Sequence, residues 1–160
     1  MLRRSKGRKT AEDGHQIQRS RILAAGDNPE SVELLARLLE REGHEVNRSA
    51  STDDALSALI LHAYVAAVME FSGRTTATAL LDAIRNHEQA QVSETRVVII
   101  AEDARNQSLT WEAGADGYLV KPFHSNDFLA EVRAAVERPD AERAAHRQAR
   151  LSPPESADEG

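Results

Sequence analysis

A chain of 160 residues with 41% hydrophobic content is the size of one ordinary domain with tails. The absence of cysteine removes disulfides, thiolate zinc sites and cysteine nucleophiles, and the longest apolar runs are too short to cross a bilayer. The basic start, MLRRSKGRKT, has no apolar core and does not read as a secretory signal, so a cytoplasmic location is expected. The net charge of −6 is unevenly spread: residues 1–19 carry six Arg or Lys against two acids, residues 20–136 ten against eighteen, and residues 137–160 four against six. An acidic body argues against a nucleic-acid groove on the domain itself. Residues 1–19 are read as a basic disordered arm, with contact to nucleic acid or an acidic partner as the alternative.

In chain order, RILAA (21–25) is a short apolar run expected as a buried strand, followed by a helix marked by Val32, Leu34, Leu35, Leu38 and Leu39 and stopped by Gly43. HEVNR (44–48) is a second, weaker strand. STDD (51–54) offers a capping box ahead of Leu56, Leu59 and Ile60. VAAVME (65–70) is a third strand, and Leu80, Leu81 and Ile84 mark a third helix. RVVIIA (96–101), with four consecutive β-branched residues, is the strongest strand, and Gly114 suits the end of the helix after it. GYLV (117–120) is the fifth strand, and SNDFLAEVRAAVE (125–137) the last helix, with Ser125 as its expected N-cap. Residues 138–160 read as an Ala/Arg-rich segment with partial helix up to about Arg150, then an acidic disordered tail after Pro153 and Pro154.

Five apolar strands alternating with five helices predict an α/β domain over residues 20–137, with a parallel sheet covered on both faces. In such sheets ligands bind beyond the C-terminal strand ends. Those ends carry Gly26 and Asp27 after the first strand, Glu70 at the third, Ala101 and Glu102 at the fourth, and Lys121 and Pro122 after the fifth. The chain uses 17 Arg but three Lys, and Lys121 is the one lysine outside the N-terminal arm. A slender ammonium suits a tight pocket that a guanidinium does not.

Residues 21–136 resemble a response-regulator receiver domain of the CheY-like superfamily; RILAAGDNPESVELLARLLEREGHEV and AGADGYLVKPF carry the likeness. The resemblance implies a flavodoxin-like, doubly wound sheet with strand order 2-1-3-4-5. It also implies a phosphoacceptor aspartate ending the third strand, an acid pair after the first strand holding Mg²⁺, a hydroxyl residue ending the fourth, the lysine of a KP pair, and an aromatic switch residue on the fifth. By position, Glu70 replaces the acceptor, Gly26 replaces one acid while Asp27 keeps the other, and Ala101 replaces the hydroxyl residue. Lys121, Pro122 and Tyr118 match the pattern.

These substitutions imply a degenerate receiver with weak or absent Mg²⁺ binding, no cofactor and no enzymatic activity. Its output is expected through protein partners, or a second copy, on the face formed by the helix before the fifth strand, that strand and the helix after it. Trp111, Tyr118, Pro122 and Phe128 are placed on that face, with packed core as the alternative for Trp111. The alternatives are a phosphorylatable, Mg²⁺-dependent receiver with a glutamate acceptor, and a nucleic-acid-associated regulator acting through the basic arm. The six histidines show no pair at helical ligand spacing, so no metal site is expected from them.

Overall fold

The structure, a computed structural model, describes residues 20–151. Its five strands are β1 (Arg21–Gly26), β2 (Glu45–Ser49), β3 (Ala66–Glu70), β4 (Val97–Ala101) and β5 (Gly117–Val120). All pair in parallel, in the order β2-β1-β3-β4-β5. The helices are α1 (Pro29–Arg41), α2 (Thr52–Leu61), α3 (Thr76–Arg85), α4 (Ala90–Ser93), α5 (Gln107–Ala113), α6 (Ser125–Glu137) and α7 (Asp140–Leu151).

The strands other than the edge strand β2 are mostly apolar because both faces are covered, and the pleat divides their side chains between two cores. Ile22, Ala24, Val68, Val98 and Ile100 face α1 and α6, meeting Val32, Leu35, Leu39, Phe128 and Val132. Leu23, Ala25, Met69, Val97 and Ile99 face the other way, toward Leu59, Leu81, Ile84 and Trp111 of α2, α3 and α5. A one-residue slip in any strand would exchange the two sets, so the register is tightly specified.

Local signals place several helix ends. Asn28 Oδ1 accepts the amides of Glu30 and Ser31 at the start of α1, with Pro29 in the first turn, and Ser51 Oγ accepts the Asp54 amide at the start of α2. Gly114 ends α5 at φ +112°, where a Cβ would also meet Arg85 Nε at 2.7 Å. Ser125 is not the cap of α6: it is the first helical residue, and His124 holds the cap position without a side-chain bond.

Two further helices raise the count from the expected five to seven among the described residues. One is the single turn α4. The other corrects the domain boundary: the folded body does not stop at Glu137, because residues 140–151 form α7 and pack against α5. This helix is more than a partial extension of the Ala/Arg-rich segment, since Arg143 within it is buried against Asp116. The basic arm and the acidic tail lie outside the described residues.

Candidate functional site

The sheet register assembles the site. Gly26 pairs with Glu70 between β1 and β3, and Ala101 with Val120 between β4 and β5, so four strands end side by side. Their last residues and the loops beyond them line one open cleft that includes Asp27, Glu70, Ser72, Glu102 and Lys121.

Glu70 and Lys121 are joined directly. Lys121 Nζ donates to Glu70 Oε2 at 2.5 Å and lies 3.6 Å from Glu102 Oε2. Glu70 is largely buried, its side chain 12% exposed, whereas Lys121 reaches in from a side chain 35% exposed. The hydrogen bond to Glu70 raises the Lys121 ammonium above its ordinary value, with the Glu70 and Glu102 charges reinforcing it against burial. Lys121 therefore stays charged throughout the physiological range. The Lys121–Pro122 peptide is cis, and the Lys121 amide donates to Ala101 O at 2.9 Å.

Asp27 is engaged elsewhere. Its carboxylate accepts the Ser72 hydroxyl at 2.6 Å and the Ser72 amide at 3.1 and 3.3 Å. This clamp fixes the loop after β3. Reasoning from strand ends does not find Ser72, which lies two residues beyond β3; the available signal is a hydroxyl in the EFSG segment facing the loop that follows β1.

Gly26 contributes no acid, and its backbone has closed over the place where one would start. A Cβ there would lie 2.4 Å from the Glu70 carbonyl oxygen and 2.9 Å from Val32 Cγ2. The loss is therefore built into the approach of β1 to β3.

Ala101 leaves the wall beside Tyr118 without a hydroxyl. A cavity of about 240 Å³ lies there, bounded by Phe71, Thr78, Ala101, Asn106 and Tyr118 among others. Tyr118 is buried and its hydroxyl donates to the Asp103 carbonyl at 3.0 Å. Burial raises its phenol above the usual value, as does the nearby Asp103 charge.

The expected partner face needs correcting in two places. Phe128 is fully buried between α6 and the sheet, and Trp111 is 3% exposed. Trp111 is covered by α7, with the His146 ring edge-on at 5.4 Å and the Arg150 guanidinium 5.8 Å from its ring centroid. Neither side chain is available to a second protein in this arrangement.

No protein-family model matches the chain. The transcriptional regulatory protein SrrA of Staphylococcus aureus is 28% identical over 123 residues, which are 73% of this chain and 48% of SrrA. The chain thus spans about half the length of the curated relatives it matches. Among solved structures, a putative response regulator from Chloroflexus aurantiacus superposes with a TM-score of 0.67 at 24% identity, covering 75% of this chain and 99% of the other. The response regulator TrrA of Thermotoga maritima, solved in complex with Mg²⁺ and BeF, gives 0.64 at 23%, covering 72% and 98%. The receiver domain of a Pseudomonas aeruginosa sensor histidine kinase, with a magnesium ion coordinated in its active-site cleft, gives 0.66 at 20%, covering 75% and 99%. The fold is that of the CheY-like receiver domains.

Proposed function

We propose that the chain, a receiver domain by fold, is a phosphorylation-independent signalling module that acts through protein contacts, with Glu70 and Lys121 permanently occupying the pocket. The observation that carries this reading is the 2.5 Å contact between them. The carboxylate that meets Lys121 is part of the chain itself, so the ammonium already has an anionic partner in the cleft.

Three further observations support it. Mg²⁺ takes six oxygens, several of them water, and needs one or two carboxylates free to turn toward it. Here Asp27 is turned to Ser72 and Glu70 to Lys121. No group of three acidic or histidine side chains suited to a metal gathers among the described residues. Finally, Tyr118 is buried and bonded to a backbone carbonyl beside an alanine, so its position does not depend on a hydroxyl that responds to phosphorylation.

The partner is a signalling protein or a second copy, met on the parts of α5, β5 and α6 that α7 leaves open, where Leu109 is exposed. The test is thermal melting of the full chain while Mg²⁺ and beryllofluoride are titrated together. The expected result is an unchanged melting temperature; a saturable rise would show a phosphorylatable pocket and refute the reading.

A further inference from the structure

α6 and α7 follow one another across two residues, yet they are held by different forces. α6 buries Phe128, Val132 and Ala135, an apolar stripe held by the removal of hydrocarbon surface from water. The one buried side chain of α7 is an arginine. Its inward face is Arg143, His146, Arg147 and Arg150, at the spacing of a single helical stripe, with Leu151 as the apolar contact at its end.

Those cations land on very little negative charge. Asp116, at the loop before β5, is 2% exposed and accepts Arg143 Nε at 2.8 Å and Nη2 at 3.1 Å, Arg147 Nη2 at 3.1 Å, and Arg85 Nη2 at 2.9 Å. Its Oδ2 also accepts the Val97 amide at 2.9 Å. Of the remaining guanidinium donors, Arg147 Nε goes to the Ala115 carbonyl, and Arg143 Nη1 to the Glu94 carbonyl and, at 3.4 Å, to the exposed Asp140 carboxylate on its own helix. Three arginines thus share one carboxylate, and that carboxylate has no capacity left.

His146 stands in the middle of this stripe. Facing it are Trp111 from α5, Asp116 from the start of β5, Arg138 from the link between α6 and α7, and Arg147 and Arg150 from its own helix. Its Nε2 is buried without a hydrogen-bond partner, as is the Trp111 Nε1 beside it. A neutral imidazole carries no charge into this cluster, whereas an imidazolium would add one among arginines, with an N–H at Nε2 that meets no acceptor.

We propose that α7 is a releasable cover over α5 and the start of β5, which mild acid lifts through His146, uncovering Trp111 and Asp116. Burial, followed by Arg138 and Arg150, lowers the His146 pKa below 6.5 in the docked helix. Because the docked imidazole binds its proton more weakly than the released one, docking is fully supported above about pH 6.5 and is lost as pH falls through the docked value. Between those two values the ratio of docked to released helix falls about tenfold per pH unit. The device is independent of the Glu70 pocket: Asp116 precedes β5, and Lys121 follows its opposite end.

Trp111 is the single tryptophan of the chain, so it reports this cover directly. The experiment follows tryptophan emission and acrylamide quenching of the full chain from pH 8 to pH 5, with far-UV circular dichroism alongside. A red shift and increased quenching below pH 6.5, with the β-sheet signal retained, is the expected result, and His146→Gln should remove that transition. Hydrogen exchange, corrected for the intrinsic pH dependence, should show residues 140–151 losing protection before residues 125–137. Unchanged emission down to pH 5, an identical shift in His146→Gln, or a shift that coincides with loss of the whole fold would each overturn the proposal.

Discussion

A double-mutant cycle on Glu70 and Lys121 measures whether the two are bound to each other or merely adjacent. Glu70→Gln removes the charge with little change of shape, Lys121→Met removes the ammonium and keeps the stem, and the double variant closes the cycle. At the observed 2.5 Å the gross attraction is about 1.7 kcal/mol at the dielectric of water and about 7 kcal/mol at an effective value of about 20. Glu70 is largely buried, which favours the larger figure but also adds desolvation, while the partial exposure of Lys121 lets solvent and salt weaken the pair. A net coupling of about 1–3 kcal/mol follows, between the value of an exposed pair and that of a fully buried one. Lys121→Met should be the more damaging single change, because it strands a buried carboxylate. At this chain length it should lower the melting temperature by roughly 2–4 °C for each kcal/mol lost. Urea unfolding of the four proteins gives the coupling, which should shrink in high salt. A coupling below about 0.5 kcal/mol would mean that the contact is incidental, and the idea of a permanently occupied pocket would fail.

Two glycine substitutions probe the backbone, one at the site and one at the far end of β5. Gly26→Asp, which restores the acid expected at that position, should destabilise by about 1–3 kcal/mol in urea unfolding and should gain no Mg²⁺-dependent stabilisation, because its Cβ collides with the Glu70 carbonyl. Gly114→Ala should cost about 1–3 kcal/mol by the same measurement, since it places a side chain at φ +112° and into Arg85, whose guanidinium bonds the Gly114 carbonyl.

The fold is readable from the sequence because its signals are local and mutually consistent: apolar strands, helical periodicity, the Ser51 cap and Gly114. The approach of Glu70 to Lys121 is also readable, since a parallel sheet brings its strand ends together and the sequence places one acid and one lysine there. The Ser72 clamp on Asp27 is not, because it depends on how an irregular loop folds back across 45 positions. The packing of α7 escapes for a different reason. Its inward stripe is cationic, and arginines at helical spacing carry no hydrophobic period; only the buried Asp116, far away in sequence, explains them. For the same reason the sequence alone leaves Trp111 between packed core and an open face, and α7 is what covers it.

The most direct measurement is the melting temperature of the full chain under joint titration with Mg²⁺ and beryllofluoride. A pocket that binds them would be stabilised by about 2.7 kcal/mol at roughly one hundred times the dissociation constant, a shift of several degrees that saturates. No such shift is expected, because Lys121 is held by Glu70 and Asp27 by Ser72. A saturable rise that disappears in Lys121→Met would contradict the occupied pocket and identify Glu70 or Asp27 as part of a working phosphoryl site.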